Sequence, residues 1–347
     1  MIQYIILFMA PLQLARNRET LVNQRAFASV LEQFKPAPSV RRKVTLGLFA
    51  VLGLTMLGQR GASAASPGVI NAIGVENEYA DVIAQVGGKY VQVTSIESDP
   101  NTDPHTFEAS PKIASQIAAA GLIVENGIGY DDWADKIMAA APNASRKVIN
   151  VQHLLGLPDS TPNPHLWYDP KTMPAVAKAV AADLGALQPD HAAYFRANAK
   201  KFDASLKPWF AAIASFKAAY GGTPVAVTEP VGDYMLQAVG TDILTPFSLQ
   251  AAIMNGTDPS PQDVTTENAF FTGHKVKVFV YNQQVTDPLT ESFLSLAKQN
   301  RIPIVGVYET MPVPGYNYQS WMVAEVAALR KAVIDKISTR SLMAAEH

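Results

Sequence analysis

Two histidines stand in near-copies of one phrase. Asp103-Pro104-His105-Thr106-Phe107 and Asn163-Pro164-His165-Leu166-Trp167 each place an imidazole behind a proline and ahead of bulky apolar residues. Proline fixes its own φ, so each ring is presented from a loop of restricted conformation. Two such loops, about 60 residues apart, suit one metal site assembled from distant parts of the chain. Neutral imidazole nitrogens are good ligands for zinc and other first-row transition metals. A single histidine in a polar loop is usually only solvated, and it is the repeated context that lifts this pair above that reading. His153, His191, His274 and His347 lack the context and read as surface or capping residues.

Ligands of parallel α/β sheets gather at loops beyond the carboxyl ends of the strands. Two acids occupy such positions: Glu229 follows an expected strand at 224–228, and Glu309 follows one at 302–308. Two carboxylates would neutralise a divalent cation, and with the two imidazoles they complete a candidate set of His105, His165, Glu229 and Glu309. Each acid has a plainer explanation, because a carboxylate at the start of a helix is favoured by the helix dipole. Asp169 reads as a helix cap, and Phe107 and Trp167 as packing that holds the histidine loops. Catalytic signatures are missing. There is no H-E-x-x-H, no G-x-S-x-G, no Walker-type glycine loop and no clean G-x-G-x-x-G after a first strand.

The elements that must position these residues alternate short β-rich runs with amphipathic helical ones, which is the pattern of α/β units. Strands are expected at 69–73, 90–96, 122–125 and 148–151, and again at 224–228, 242–247, 276–281 and 302–308. Tyr79, Val82, Ile83 and Val86 form a helical stripe that Gly87-Gly88 stops. Ser110-Pro111 and Asp169-Pro170 look like cap-plus-proline helix starts, and a final helix is expected near 321–336. Between the two series, Phe195, Phe202, Leu206, Trp209, Ile213 and Phe216 fall on one helical stripe. They predict one long helix spanning about 45 Å, which Pro208 should kink or split. The fold class is therefore α/β: two α/β lobes, 66–188 and 221–340, each with a mainly parallel sheet, bridged by a helix over 189–220.

The chain has 347 residues, enough for a large core, and a net charge of −2 that offers no attraction for nucleic acid. It contains no cysteine, which excludes disulfides, thiolate zinc sites and a lipid anchor through cysteine. Residues 1–65 read as a leader and signal peptide. Arg41, Arg42 and Lys43 precede an apolar run over 44–57, and Gly61-Ala62-Ser63-Ala64 offers a cleavage site, so the mature chain is expected to begin near Ala65 or Ser66. Residues 1–40 are an extended leader or an upstream start that is not used. A membrane anchor over 2–14 is the alternative, and it falls short of the ~20 residues a span needs.

Taken in order, Asp103-Pro104-His105-Thr106-Phe107-Glu108, Glu125-Asn126-Gly127 with Trp133, Asn163-Pro164-His165-Leu166-Trp167-Tyr168-Asp169-Pro170 and Thr228-Glu229-Pro230 resemble the zinc/manganese solute-binding proteins of metal-importing ABC transporters. The likeness covers about residues 68–338. It implies two pseudo-symmetric lobes with the metal in the cleft between them, and His105 and His165 as first-lobe ligands. It also implies a zinc or manganese cargo, a periplasmic location, a permease partner and a monomer. Glu229 stands where zinc-preferring members often carry His and manganese-type members carry Glu. Glu309 falls where Asp is usual, and the His- and acid-rich loop of many zinc-specific members is missing. A closed shell of four protein ligands speaks for capture, since catalytic zinc keeps an open position. The rival readings are an exported metal-dependent hydrolase and a metal-stabilised adhesion module.

Overall fold

The structure, a computed structural model, describes residues 68–342. The leader and signal peptide expected over 1–65, and His347, lie outside the described residues. Among the described residues, eight strands form two sheets of four. The first holds β1 (Ile70–Glu76), β2 (Val91–Glu97), β3 (Leu122–Glu125) and β4 (Lys147–Asn150) in the order β2-β1-β3-β4. The second holds β5 (Pro224–Val227), β6 (Asp242–Ile243), β7 (Val278–Asn282) and β8 (Ile304–Val307) in the order β6-β5-β7-β8. Every neighbouring pair is parallel. The orders correspond strand for strand, so the molecule consists of two pseudo-symmetric α/β lobes.

Central strands are apolar on both faces because helices cover both sides of a parallel sheet. Leu122, Ile123 and Val124 on β3, and Val278, Phe279, Val280 and Tyr281 on β7, are all buried. In the first lobe the covering helices are α1 (Asn77–Gly87), α2 (Pro111–Ala119), α3 (Asp132–Ala140), the short α4 (Val151–Leu154) and α5 (Thr172–Leu187). The α1 stripe of Tyr79, Val82, Ile83 and Val86 is buried as expected, and Ser110 caps α2 by accepting from Ile113 N–H.

Two expectations need correction. The helix after the second histidine loop starts at Thr172, and Asp169 is not its cap; its carboxylate accepts from Lys171 N–H in the preceding turn. The strand expected over 242–247 is only Asp242–Ile243, because Pro246 cannot donate to a ladder and leads into a helix that begins at Phe247.

The bridge is also two helices rather than one. A 3-10 turn at Pro189–His191 precedes α6 (Ala192–Ser205) and α7 (Lys207–Tyr220), which are separated at Leu206. Pro208 has no N–H for the carbonyl four residues earlier, so the hydrogen-bond ladder breaks there. The apolar stripe nevertheless stays in register: Phe195, Phe202, Leu206, Trp209 and Phe216 are all buried. α6 packs on α1 and α5 of the first lobe, while α7 packs on the last helix of the second. That lobe carries α8 (Asp233–Ala238), α9 (Phe247–Met254), α10 (Pro261–Thr272), α11 (Pro288–Gln299) and α12 (Tyr318–Asp335). Phe202 of α6 and Trp209 of α7 both lie against Tyr318 of α12, with ring centroids 6.4 and 5.8 Å away.

Two measurements probe this packing. A Cβ added at Gly74 on β1 would run into the backbone nitrogen of Ala80 on α1. Gly74→Ala should therefore cost about 1–3 kcal/mol in urea unfolding; an unchanged midpoint would contradict the close strand–helix approach. Glu267 on α10 is fully buried, with one oxygen accepting from the Thr245 hydroxyl and the other unpartnered, and burial pushes its carboxyl up to about 8. The folded chain thus keeps a proton that the unfolded chain releases above about pH 4.5. The stabilising contribution is complete below that point and is lost as pH rises toward about 8. Glu267→Gln should gain about 2–4 kcal/mol over the parent near the upper end of this window, and the gain should shrink toward the acid end.

Candidate metal centre

The repeated histidine phrase has a local physical cause. Asp103 accepts the N–H of His105 on its side-chain oxygen at 2.8 Å, and Asn163 accepts that of His165 at 3.0 Å. Both are Asx turns, in which the acid or amide side chain two residues back replaces a backbone partner. Asn163 does more than Asp103. The same oxygen lies 2.8 Å from His165 Nδ1, and its amide donates to the carbonyl of Pro230 in the other lobe at 2.7 Å. With its proton on Nδ1, directed at Asn163 Oδ1, His165 would offer the Nε2 lone pair to a metal.

The two rings meet at one oxygen. Glu309, the second residue after β8, places Oε2 3.2 Å from His105 Nε2 and 3.2 Å from His165 Nε2. These ligand atoms lie within 4.8 Å of one another. His165 and Glu309 are fully buried, whereas the His105 side chain retains 22% of its exposure. His105 also lines a cavity of about 800 Å³ together with Asp103, Asp258, Gln284 and Asp287, so the centre opens to solvent on the His105 side.

Tyr130 donates its hydroxyl to Glu309 Oε2 at 3.0 Å, and Gln284 accepts the backbone N–H of both Glu309 and Thr310. Asn282, at the end of β7, donates to Glu309 Oε1 at 2.8 Å and to Glu229 Oε1 at 3.0 Å. Glu229 Oε2 is buried with no hydrogen-bond partner. That oxygen belongs to an acid joined to Glu309 through one amide, and a buried carboxylate oxygen without a partner there is a donor still available to a cation.

Electrostatics divide the two acids. Burial alone would raise Glu309, but hydrogen bonds and charge attraction from His105 and His165 hold it well below the usual carboxylate range. Glu229 is pushed well above that range, first by burial and then by the neighbouring Glu309 charge. Burial shifts His165 downward, against the opposing pull of the Glu309 carboxylate. Burial also lowers His105, but the Glu309 carboxylate outweighs it and the net shift is upward.

Three of the four residues expected from the sequence thus converge directly, and Glu229 joins them through the shared amide of Asn282. Sequence reading did not single out Tyr130, Asn163, Asn282 or Gln284. Asn163 could have been found, since Asn two residues before a histidine and one before proline is an Asx-turn signal. The first lobe also buries Glu76, Glu78, Glu97, Glu125 and Asp131 close to its strand ends. Burial is the main reason Glu97 and Glu125 are pushed up to about 8 and Asp131 to about 6. Phe107 stacks at a tilt on Trp133, and Trp167 lies edge-on to His165, which are the packing roles expected of them.

Known proteins resemble this chain. The model of the family described as zinc-uptake complex component A periplasmic, ZnuA, matches residues 76–332. The manganese-binding lipoprotein MntA of Bacillus subtilis is 26% identical over 166 residues, 46% of this chain and 54% of that protein. The manganese ABC transporter substrate-binding lipoprotein PsaA of Streptococcus mitis is 25% identical over 151 residues, 40% of this chain and 48% of that protein. The chain spans about half the length of these curated relatives. Among solved structures, the periplasmic zinc-binding protein TroA of Treponema pallidum superposes with a TM-score of 0.65 at 17% identity, over 78% of this chain and all of that one. A crystal structure of ZnuA gives 0.62 at 20% identity, over 76% of this chain and 99% of the other. These two share its fold. With the family model running from the end of β1 into α12, the chain belongs to the ZnuA family of periplasmic zinc-uptake components.

Proposed function

We propose that this chain is an extracytoplasmic solute-binding protein that captures a divalent transition metal, zinc or manganese, and delivers it to the permease of an ABC importer. The observation that carries the reading is the meeting of His105 Nε2, His165 Nε2 and Glu309 Oε2 at one largely buried point between the lobes. Glu229, with its orphaned oxygen, is the fourth ligand. Two imidazoles and two carboxylates suit zinc, manganese or iron by chemistry, and the names of the relatives favour the first two.

The mechanism is coordination without turnover. The protein supplies four donors in place of water, leaving no open position of the kind a catalytic zinc uses. The ion enters past His105 from the cavity and loses its waters as the buried side closes on it. The chain is exported by its signal peptide, works in the periplasm as a monomer, and gives up its cargo when a lobe or loop shifts and loosens the carboxylates. No helix among the described residues is long and apolar enough to cross a membrane.

Isothermal titration with zinc and with manganese tests the site. His105→Ala should weaken both by about 100-fold or more, the upper end of what losing only a supporting hydrogen bond produces. Glu229→His should change the preference between the two ions. Unaltered affinities in both variants would remove the proposed ligands. A chelator melt tests the role. The stripped chain should still unfold cooperatively, and metal at 100 times Kd should add about 2.7 kcal/mol. A stripped chain that is already unfolded would instead assign the ion a structural task.

A further inference from the structure

Asn282 occupies a position that neither the histidine phrases nor the strand-end acids explain. It is fully buried at the carboxyl end of β7, the strand lying between β5 and β8. Those two neighbours lead into Glu229 and Glu309. Asn282 Oδ1 accepts the backbone N–H of Gln284 at 3.0 Å, which fixes the orientation of the amide. The Nδ2 group therefore faces the acids, donating to Oε1 of Glu229 at 3.0 Å and to Oε1 of Glu309 at 2.8 Å. One amide nitrogen thus occupies one oxygen of each carboxylate. The oxygens left over are Glu309 Oε2, which meets both imidazoles, and Glu229 Oε2, which has no partner.

We infer that Asn282 is a specificity-determining positioning residue: by holding Oε1 of both acids, it confines each to a single metal bond and so favours an ion content with four donors. The inference rests on the metal-capture reading above and deepens it. Zinc is almost always four-coordinate when closed in by protein ligands. Manganese prefers six oxygen-rich donors. A second bond from each carboxylate would raise the shell from four to six, and Asn282 is the group that stands in the way. The first lobe uses the equivalent place similarly. Asn126, immediately after β3, donates to the carbonyl of Pro164 at 2.8 Å and so anchors the His165 loop. Amides at matching strand ends therefore hold the imidazole side and the acid side of the same centre.

X-ray absorption spectroscopy on the full chain carrying one equivalent of zinc or of manganese tests the inference, alongside competition titration between the two ions. The parent should show four nitrogen and oxygen donors around zinc. Asn282→Ala should bring the shell to five or six and shift the zinc-to-manganese affinity ratio toward manganese by about tenfold. Asn282→Ser, which keeps one donor, should fall between. If Asn282→Ala does not fold, the parent spectrum decides: a zinc shell of five or six with a bidentate carboxylate would overturn the inference. So would an Asn282→Ala chain that folds and binds with an unmoved ratio and shell. A parent chain that binds neither ion would overturn the metal-capture reading itself, and with it this one.

Discussion

A single buried carboxylate, Glu309, is the point at which the two lobes are made to agree. Removing a charge from water costs several kcal/mol even after relaxation, and Glu309 is fully buried. It is kept ionised by groups from both halves of the molecule. His105, His165 and Tyr130 approach Oε2 from the first lobe, while Asn282 holds Oε1 from the second. Leaving any of these partners out would expose the remaining ones to an uncompensated charge in a medium of low dielectric. The arrangement is therefore all-or-none in character, and it places negative charge where two imidazole nitrogens already point.

The same logic explains why the lobes are joined so thoroughly around the centre. Asn77 exchanges two hydrogen bonds with the backbone of Met311, both at 2.9 Å. The Tyr168 hydroxyl donates to the carbonyl of Tyr308, the Tyr318 hydroxyl to that of Trp167, and Gln284 to that of Thr102. Each of these crosses between sheets, and most are buried. A wide hinge would leave such groups unpaired at about 1–3 kcal/mol apiece. Small displacements at the exposed His105 edge are much less costly. The helical bridge adds to this restraint, because Phe202 and Trp209 lie on either side of the Leu206 break and share one contact on α12.

Much of the architecture was legible from local patterns. Period-two and continuous apolar runs located all eight strands, since burial on both faces leaves a signal within a few residues. The proline-stiffened histidine phrases were legible for the same reason, as an Asx turn is complete within three residues. Where reading failed, a local feature had been weighed alone. Pro246 cut short the sixth strand, and Asp169 belongs to a turn that only precedes its helix. Pro208 did what its missing N–H requires, while the apolar stripe across it stayed buried on one side.

The sequence by itself determined which side chains could bind a cation and that they would sit beyond parallel strands, because residue chemistry and strand periodicity are properties of short segments. It did not determine that Glu309 would touch both rings while Glu229 joined Glu309 only through an amide. Tertiary structure decided that, through strand order. β7 lies between β5 and β8, so its last residue, Asn282, comes between two acids that stand 80 positions apart in the chain. Such a neighbourhood is set by which strands pair across the whole fold, and no local window of residues encodes it.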